Sequence, residues 1–287
     1  MVLAEALLFA GNEFVGRWLT PIIWTGYVLF VDALVYRRKR RSLLVSNRLE
    51  LLAIVCISIG SWWLFEFYNS PRFWQLNAAE LWWHYQHLVP DPFLRCFGYN
   101  WAFATIFPAL FETAELCAAW RATQERLPER ESMPARELSK PLLYALIILG
   151  AAGALVPFLI INVWLVPLVW VSLALLLDPL NALRGWPSLT GDIARRDWRR
   201  LITLALAGII CGVLWEFWNY WAISRWTYTV PYLGNVKIFE MPVLGYLGYP
   251  PFAWECWAIY IFCRSLLGGG RPIGAQTRAT EIVIDLQ

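Results

Sequence analysis

Charge is what this sequence has least of: 16% of its 287 residues are Asp, Glu, Lys or Arg, against 59% hydrophobic. Soluble domains of this length keep about a quarter of their residues charged. The deficit is concentrated in runs. Leu142 to Ile161 has no charged residue, and about twenty residues of helix cross a bilayer at 1.5 Å per residue. In lipid the backbone must satisfy itself, so such a run is helical.

Histidine is scarcer still. His84 and His87 are the whole supply, too few for a histidine-rich di-iron site, and neither lies mid-span as a haem ligand would. Their H-x-x-H spacing reads as an interfacial polar face. The six cysteines (Cys56, Cys96, Cys117, Cys211, Cys256, Cys263) fall mostly inside apolar runs with no C-x-x-C pair. They read as small packing residues, not a disulfide frame or metal site. No Gly-rich phosphate loop or nucleophile elbow is present. Redox and phosphoryl-transfer chemistry are disfavoured, and neither metal nor cofactor is expected. Met1 to Gly16 holds no Lys or Arg, so it lacks the basic start of a cleaved signal peptide.

What is present is an all-α integral membrane pattern. Apolar runs predict seven transmembrane helices near 18–36, 47–68, 103–120, 141–161, 163–178, 200–222 and 250–267. Nineteen of the 24 basic residues follow the first, third, fifth and last spans, while Arg17, Arg72, Arg95, Arg225 and Lys237 do not. Positive-inside bias then places the N-terminus outside and the C-terminus in the cytoplasm. In a bacterium this is a multi-pass inner-membrane protein. The basic clusters act as topology signals, and no nucleic-acid partner is expected. Segments 70–97 and 223–249, rich in Trp, Tyr and Pro, read as interfacial caps or re-entrant lids. Residues 121–140 read as a charged linker and the tail after Leu267 as loose.

Three motifs recur in order. LFEFYN at 64–69 answers LWEFWN at 214–219; Asp32 answers Asp178; Pro108 and Glu112 answer Pro251 and Glu255, with Arg121 matching Arg264. This predicts two tandem three-helix repeats, residues 1–120 and 162–287, joined by 121–161 with one linking helix. An odd helix between them inserts both in the same orientation, related by an axis along the membrane normal.

Ionisable residues inside spans are functional candidates. Glu66 with Asn69, and Glu216 with Asn219, share helix faces at i, i+3. Glu112 and Glu255 each follow a proline by one turn. The four glutamates are expected to converge in the outer half, where a carboxyl kept protonated could protonate an alkene. Asp32 and Asp178 are expected to pair with Arg38 and Arg184. Aromatics crowd the acids: Trp62, Trp63, Phe65, Phe67 and Tyr68 near Glu66; Trp215, Phe217, Trp218, Tyr220 and Trp221 near Glu216; Trp254 and Trp257 around Glu255. Part of this supply belongs to interfacial belts, but π faces also stabilise a carbocation.

Trp215-Glu216, Trp226-Thr227-Tyr228 and Pro251 to Glu255, in that order, resemble the repeat unit of the membrane lycopene cyclases of two-subunit or fused type. Small fungal membrane terpene cyclases look similar in plan. One acid stands here where that family's proline motif carries two. The resemblance implies a cofactor-independent cyclase or isomerase of a carotenoid or terpenoid lipid. Glu66, Glu112, Glu216 and Glu255 would be its acids and bases, and Asn69, Asn219, Trp63, Trp215, Trp218, Trp226, Tyr228 and Trp254 its substrate contacts. Two other readings stay open: a transporter or channel built on tandem repeats, and a non-catalytic lipid- or quinone-binding protein. The expected partner is a membrane lipid or isoprenoid substrate, and a homo-oligomer is compatible with all three.

Overall fold

The computed structural model describes residues 1–75, 82–124, 138–160, 162–229, 231 and 233–268, with side chains throughout except at 71–75 and 121–124. Most of the expected linker, the tail after Gly268 and the Arg121 side chain matched to Arg264 lie outside the described residues.

The chain is mostly helical, and six helices are long and apolar enough to cross a membrane. Two short helices open it, α1 (Val2–Phe9) and α2 (Glu13–Arg17), followed by α3 (Leu19–Lys39), the short α4 (Leu43–Ser46) and α5 (Arg48–Gln75). Strand β1 (Trp83–Gln86) precedes α6 (Pro92–Gln124) and α7 (Lys140–Leu159). A 3₁₀ turn at Val163–Leu165 leads to α8 (Val166–Val169), α9 (Ser172–Leu183), α10 (Leu189–Ala194) and α11 (Arg199–Trp221). Strands β2 (Arg225–Tyr228), β3 (Lys237–Ile238) and β4 (Met241–Pro242), a 3₁₀ turn at Val243–Gly248 and α12 (Tyr249–Leu267) complete the order.

Helix α6 begins well before the expected 103. Asp91 Oδ1 accepts from Leu94 N at 2.8 Å, an N-cap, and Pro92 at the first helical position costs no hydrogen bond there. The span expected at 163–178 corresponds to Val163–Leu183, one of the six, and its helix is interrupted around Trp170–Val171, between α8 and α9. Helix α7 lies flush on this region, because a Cβ at Gly150 would come within 2.7 Å of the Leu175 carbonyl carbon.

Ring contacts and hydrogen bonds give the directions. Helix α3 runs parallel to α6, with Trp18 against Phe97, Trp101 Nε1 donating to Thr25, Tyr27 bonded to Thr113 and Lys39 paired with Glu115. Helix α5 runs antiparallel to α6, and α11 antiparallel to α12, where Trp254 Nε1 donates to Leu201 O. Charged pairs collect at one end of the bundle: Lys39–Glu115 at 3.0 Å, Arg264–Glu50 at 2.8 Å, and Arg200–Asp192. This is the basic end.

The seventh expected span is α12, which is not among the six. It carries Glu255 and Arg264, and its run from Glu255 to Ile261 is buried on every face. At the opposite end, β1 and β2 pair antiparallel into a ribbon, with Trp83 facing Tyr228 and Tyr85 facing Trp226. The two aromatic segments between spans therefore meet each other.

Candidate functional site

The ribbon is fastened by two asparagines. Asn219, near the end of α11, donates to Trp226 O at 2.8 Å and accepts from Trp226 N at 2.9 Å. Asn69 on α5 donates to Trp83 O at 2.9 Å and accepts from Trp82 N at 3.0 Å. Each side-chain amide presents its NH₂ donor group and its carbonyl acceptor in one plane, so each acts as a clamp on the strand that follows. Both are buried and fully engaged by backbone.

The clamped strands return a tyrosine to the acid one turn earlier on the same helix. Tyr228 donates to Glu216 Oε1 at 2.7 Å, and Tyr249, at the start of α12, donates to the same oxygen at 2.7 Å. Trp226 Nε1 donates to the Tyr228 oxygen at 2.6 Å. In the other half Tyr85 donates to Glu66 Oε1, which also accepts from Trp83 Nε1 at 3.3 Å. Burial, then the adjacent carboxyl, pushes the Tyr85 and Tyr228 phenols well above the ordinary tyrosine range. Both remain proton donors at neutral pH. Glu216 Oε2 has no hydrogen-bond partner among the described residues.

Beneath the ribbon lies a cavity of about 530 Å³, within the range of small-molecule sites. Its wall is overwhelmingly apolar and aromatic. Trp62 stacks on Trp215 with centroids 5.2 Å apart, Trp24 lies 5.8 Å from Trp215, and Trp170 meets Phe252 edge-on at 5.5 Å. Along α6 the lining runs from Arg95 to Leu110, about 22 Å at 1.5 Å per residue. Leu94, Leu244 and Leu247, all exposed, border it, so it communicates with the outside of the bundle. Tyr85, Tyr228 and Tyr249 line it, whereas none of the four glutamates does. Glu66 and Glu216 stand one hydrogen bond behind the wall.

The four glutamates do not gather at one point. Glu112 accepts from Leu43 N at 3.2 Å, in the turn beyond α3. That places it toward the basic end, about 20 Å along α6 from the level of Glu66. Glu255 accepts from Leu173 N at 2.8 Å and serves the first turn of α9. Glu112 and Glu255 each keep one oxygen without a partner among the described residues. Asp32 and Asp178 form no ion pair with Arg38 or Arg184. Asp32 accepts from Ser42 Oγ and Leu44 N, both at 2.9 Å, and Asp178 from Leu189 N at 2.7 Å and Thr190 N at 2.8 Å. The apolar ends of these helices leave backbone amides that need acceptors, and the aspartates supply them.

Of the aromatic contacts expected, Trp215, Trp226 and Tyr228 line the cavity. Trp63 is exposed and donates to Asn100 at 3.1 Å. Trp218 donates to Glu5 at 2.9 Å and packs edge-on against Trp24, and Trp254 ties α12 to α11. Reasoning from sequence overlooked Tyr85, Tyr249, Trp24 and Trp170. For Tyr85 a signal existed: Trp83-His84-Tyr85 follows Glu66-x-x-Asn69 as Trp226-Thr227-Tyr228 follows Glu216-x-x-Asn219.

In comparison with known proteins, the chain matches no family model, no curated protein and no solved structure. Fold and site alone therefore define its class: a multi-pass helical protein, with six helices able to cross a membrane, around an aromatic cavity walled by acid-backed tyrosines.

Proposed function

We propose that the protein is a membrane-embedded, cofactor-independent cyclase or isomerase of an isoprenoid lipid, working through Tyr228–Glu216 and Tyr85–Glu66. The observation that carries this reading is the cavity whose apolar, tryptophan-lined wall is interrupted by hydroxyls bonded to buried carboxyls. A linear polyene enters past the exposed leucines. The Tyr228 hydroxyl turns from Glu216 Oε1 toward a terminal alkene carbon and gives it its proton, and protonated Glu216 then passes its own proton to the Tyr228 oxygen and becomes the carboxylate. The π pair of an internal alkene closes a ring on the resulting cation, and the new cation lies against Trp215 and Trp62. Tyr85 takes the proton lost from the neighbouring carbon while passing its own hydroxyl proton to the Glu66 carboxylate, and the electrons of the broken C–H bond form the product double bond. Substrate and product are isomers, so no oxidant or reductant is needed.

The same reading extends to architecture. Helix α12 is the seventh span, shielded from lipid by its neighbours, which allows Glu255 and Arg264 within it. The two Glu–Asn–Trp-x-Tyr units are tandem repeats about an axis through the ribbon, and the basic end faces the cytoplasm. An ion path gains less support, because no carboxylate among the described residues lines the cavity.

The test is isotopic. With a linear polyprenyl substrate in D₂O, the product should keep the carbon skeleton, gain about one mass unit from the added deuteron, and disappear in Glu216→Gln. Turnover without deuterium incorporation would refute protonation as the initiating step.

A further inference from the structure

Among the described residues two charged side chains line the cavity, and both are arginines: Arg17 and Arg95. They stand at the ribbon end, away from the basic end where the positive charge of the chain collects. Arg17 closes α2 immediately before the first long helix, and Arg95 sits in the first turn of α6. The two helix starts are held together. Gly98 faces Trp18 so closely that a Cβ there would meet the ring at 3.3 Å, and Trp18 also contacts Phe97 and Trp101.

Neither guanidinium is consumed by a strong partner. Arg17 reaches Glu13 only at 3.7 Å, and that carboxylate is 78% exposed, a pairing of little worth in water. Its other contact is the His87 carbonyl at 3.4 Å. Arg95 forms no ion pair among the described residues. Two half-buried guanidiniums stand at the mouth of an apolar slot with no acid among its described lining residues, and guanidinium forks suit a phosphate-class anion.

We infer that the cavity takes an anionic amphiphile, its hydrocarbon chain in the tryptophan-lined slot and a phosphate-class headgroup between Arg17 and Arg95. This rests on the isoprenoid reading above and narrows its substrate from a neutral hydrocarbon to a chain bearing an anionic end. The slot of about 22 Å leaves the far end of the chain toward Cys211 and Leu110, which line its depth.

The full-length protein in detergent allows a direct test, since Trp18, Trp24, Trp62, Trp170, Trp215 and Trp226 line the cavity and report occupancy through their fluorescence. Farnesyl phosphate, farnesol and inorganic phosphate are titrated against wild type and the Arg17→Gln/Arg95→Gln double variant. Farnesyl phosphate should bind wild type at least about tenfold tighter than farnesol does. The double variant should lose that advantage while binding farnesol as before, which also shows that it is folded. Equal affinity of both probes for wild type overturns the headgroup assignment and leaves the apolar cavity standing. A response to neither probe overturns both. Displacement of farnesyl phosphate by an equal concentration of inorganic phosphate marks a free-anion site and overturns the amphiphile.

Discussion

The asparagine clamps make the sharpest structural prediction. Asn219→Ala removes two hydrogen bonds to Trp226 and leaves that residue's N–H and C=O without acceptor and donor. A stranded buried backbone group costs about 1–3 kcal/mol. Asn219 is 1% exposed while Trp226 is only half-buried, so the lower part of the range applies to each group. The sum is about 2–4 kcal/mol, or a fall of roughly 3–7 °C in melting temperature. Asn69→Ala removes the equivalent pair at Trp82 and Trp83, which are 0% and 5% exposed, and should cost more, about 4–6 kcal/mol. Asn69→Leu and Asn219→Leu keep the volume and lose the bonds, which separates hydrogen bonding from the void that alanine leaves. Thermal unfolding in detergent, followed by tryptophan emission, reads all four. Leucine variants as stable as wild type, or an effect confined to one asparagine, would refute the clamp argument.

Three further outcomes follow from the packing and the charges. Gly212→Ala places a methyl where the Tyr249 ring lies; it should destabilise by about 1–3 kcal/mol and weaken the Tyr249–Glu216 bond, seen as a lower denaturation midpoint. Arg264→Leu removes the only ion pair of the buried Glu50 carboxylate among the described residues and leaves it the Tyr260 hydroxyl; it should cost about 3 kcal/mol, with much of the loss recovered in Glu50→Leu/Arg264→Leu. Hydrogen bonding to Arg199 lowers the Asp197 pKa to about 2. Its folded value is depressed, so its contribution is complete above the unfolded value near 4 and vanishes as pH falls through about 2. The stability gap between wild type and Asp197→Asn should close over that window, and since Arg199 is 53% exposed it should stay below about 1 kcal/mol throughout.

The long helices were legible because lipid permits only one backbone solution to an uncharged run of twenty residues. Most lie within a few residues of their expected bounds. The exceptions have local causes. Helix α6 starts early through a cap at Asp91 that hydropathy does not register, and the 163–178 run breaks because Leu173 N finds an acceptor in Glu255 rather than in its own helix. The Glu-x-x-Asn pairs stood out in the sequence, but their role did not. Asn69 clamps a strand fourteen residues on and Asn219 one seven residues on; the unequal spacing hides Trp83-His84-Tyr85 from a fixed-offset comparison. Glu112 and Glu255 match in sequence and not in partners. A repeated residue keeps its place in a helix more readily than the loop it serves.

The central claim concerns what occupies the cavity and what becomes of it. The most direct measurement is mass spectrometry of the small molecules that copurify with the protein from native membrane, comparing wild type with Glu216→Gln. The account predicts an isoprenoid in both, linear in the variant and cyclised or isomerised in wild type. The same ordinary phospholipids in both preparations, with no isoprenoid, would contradict it.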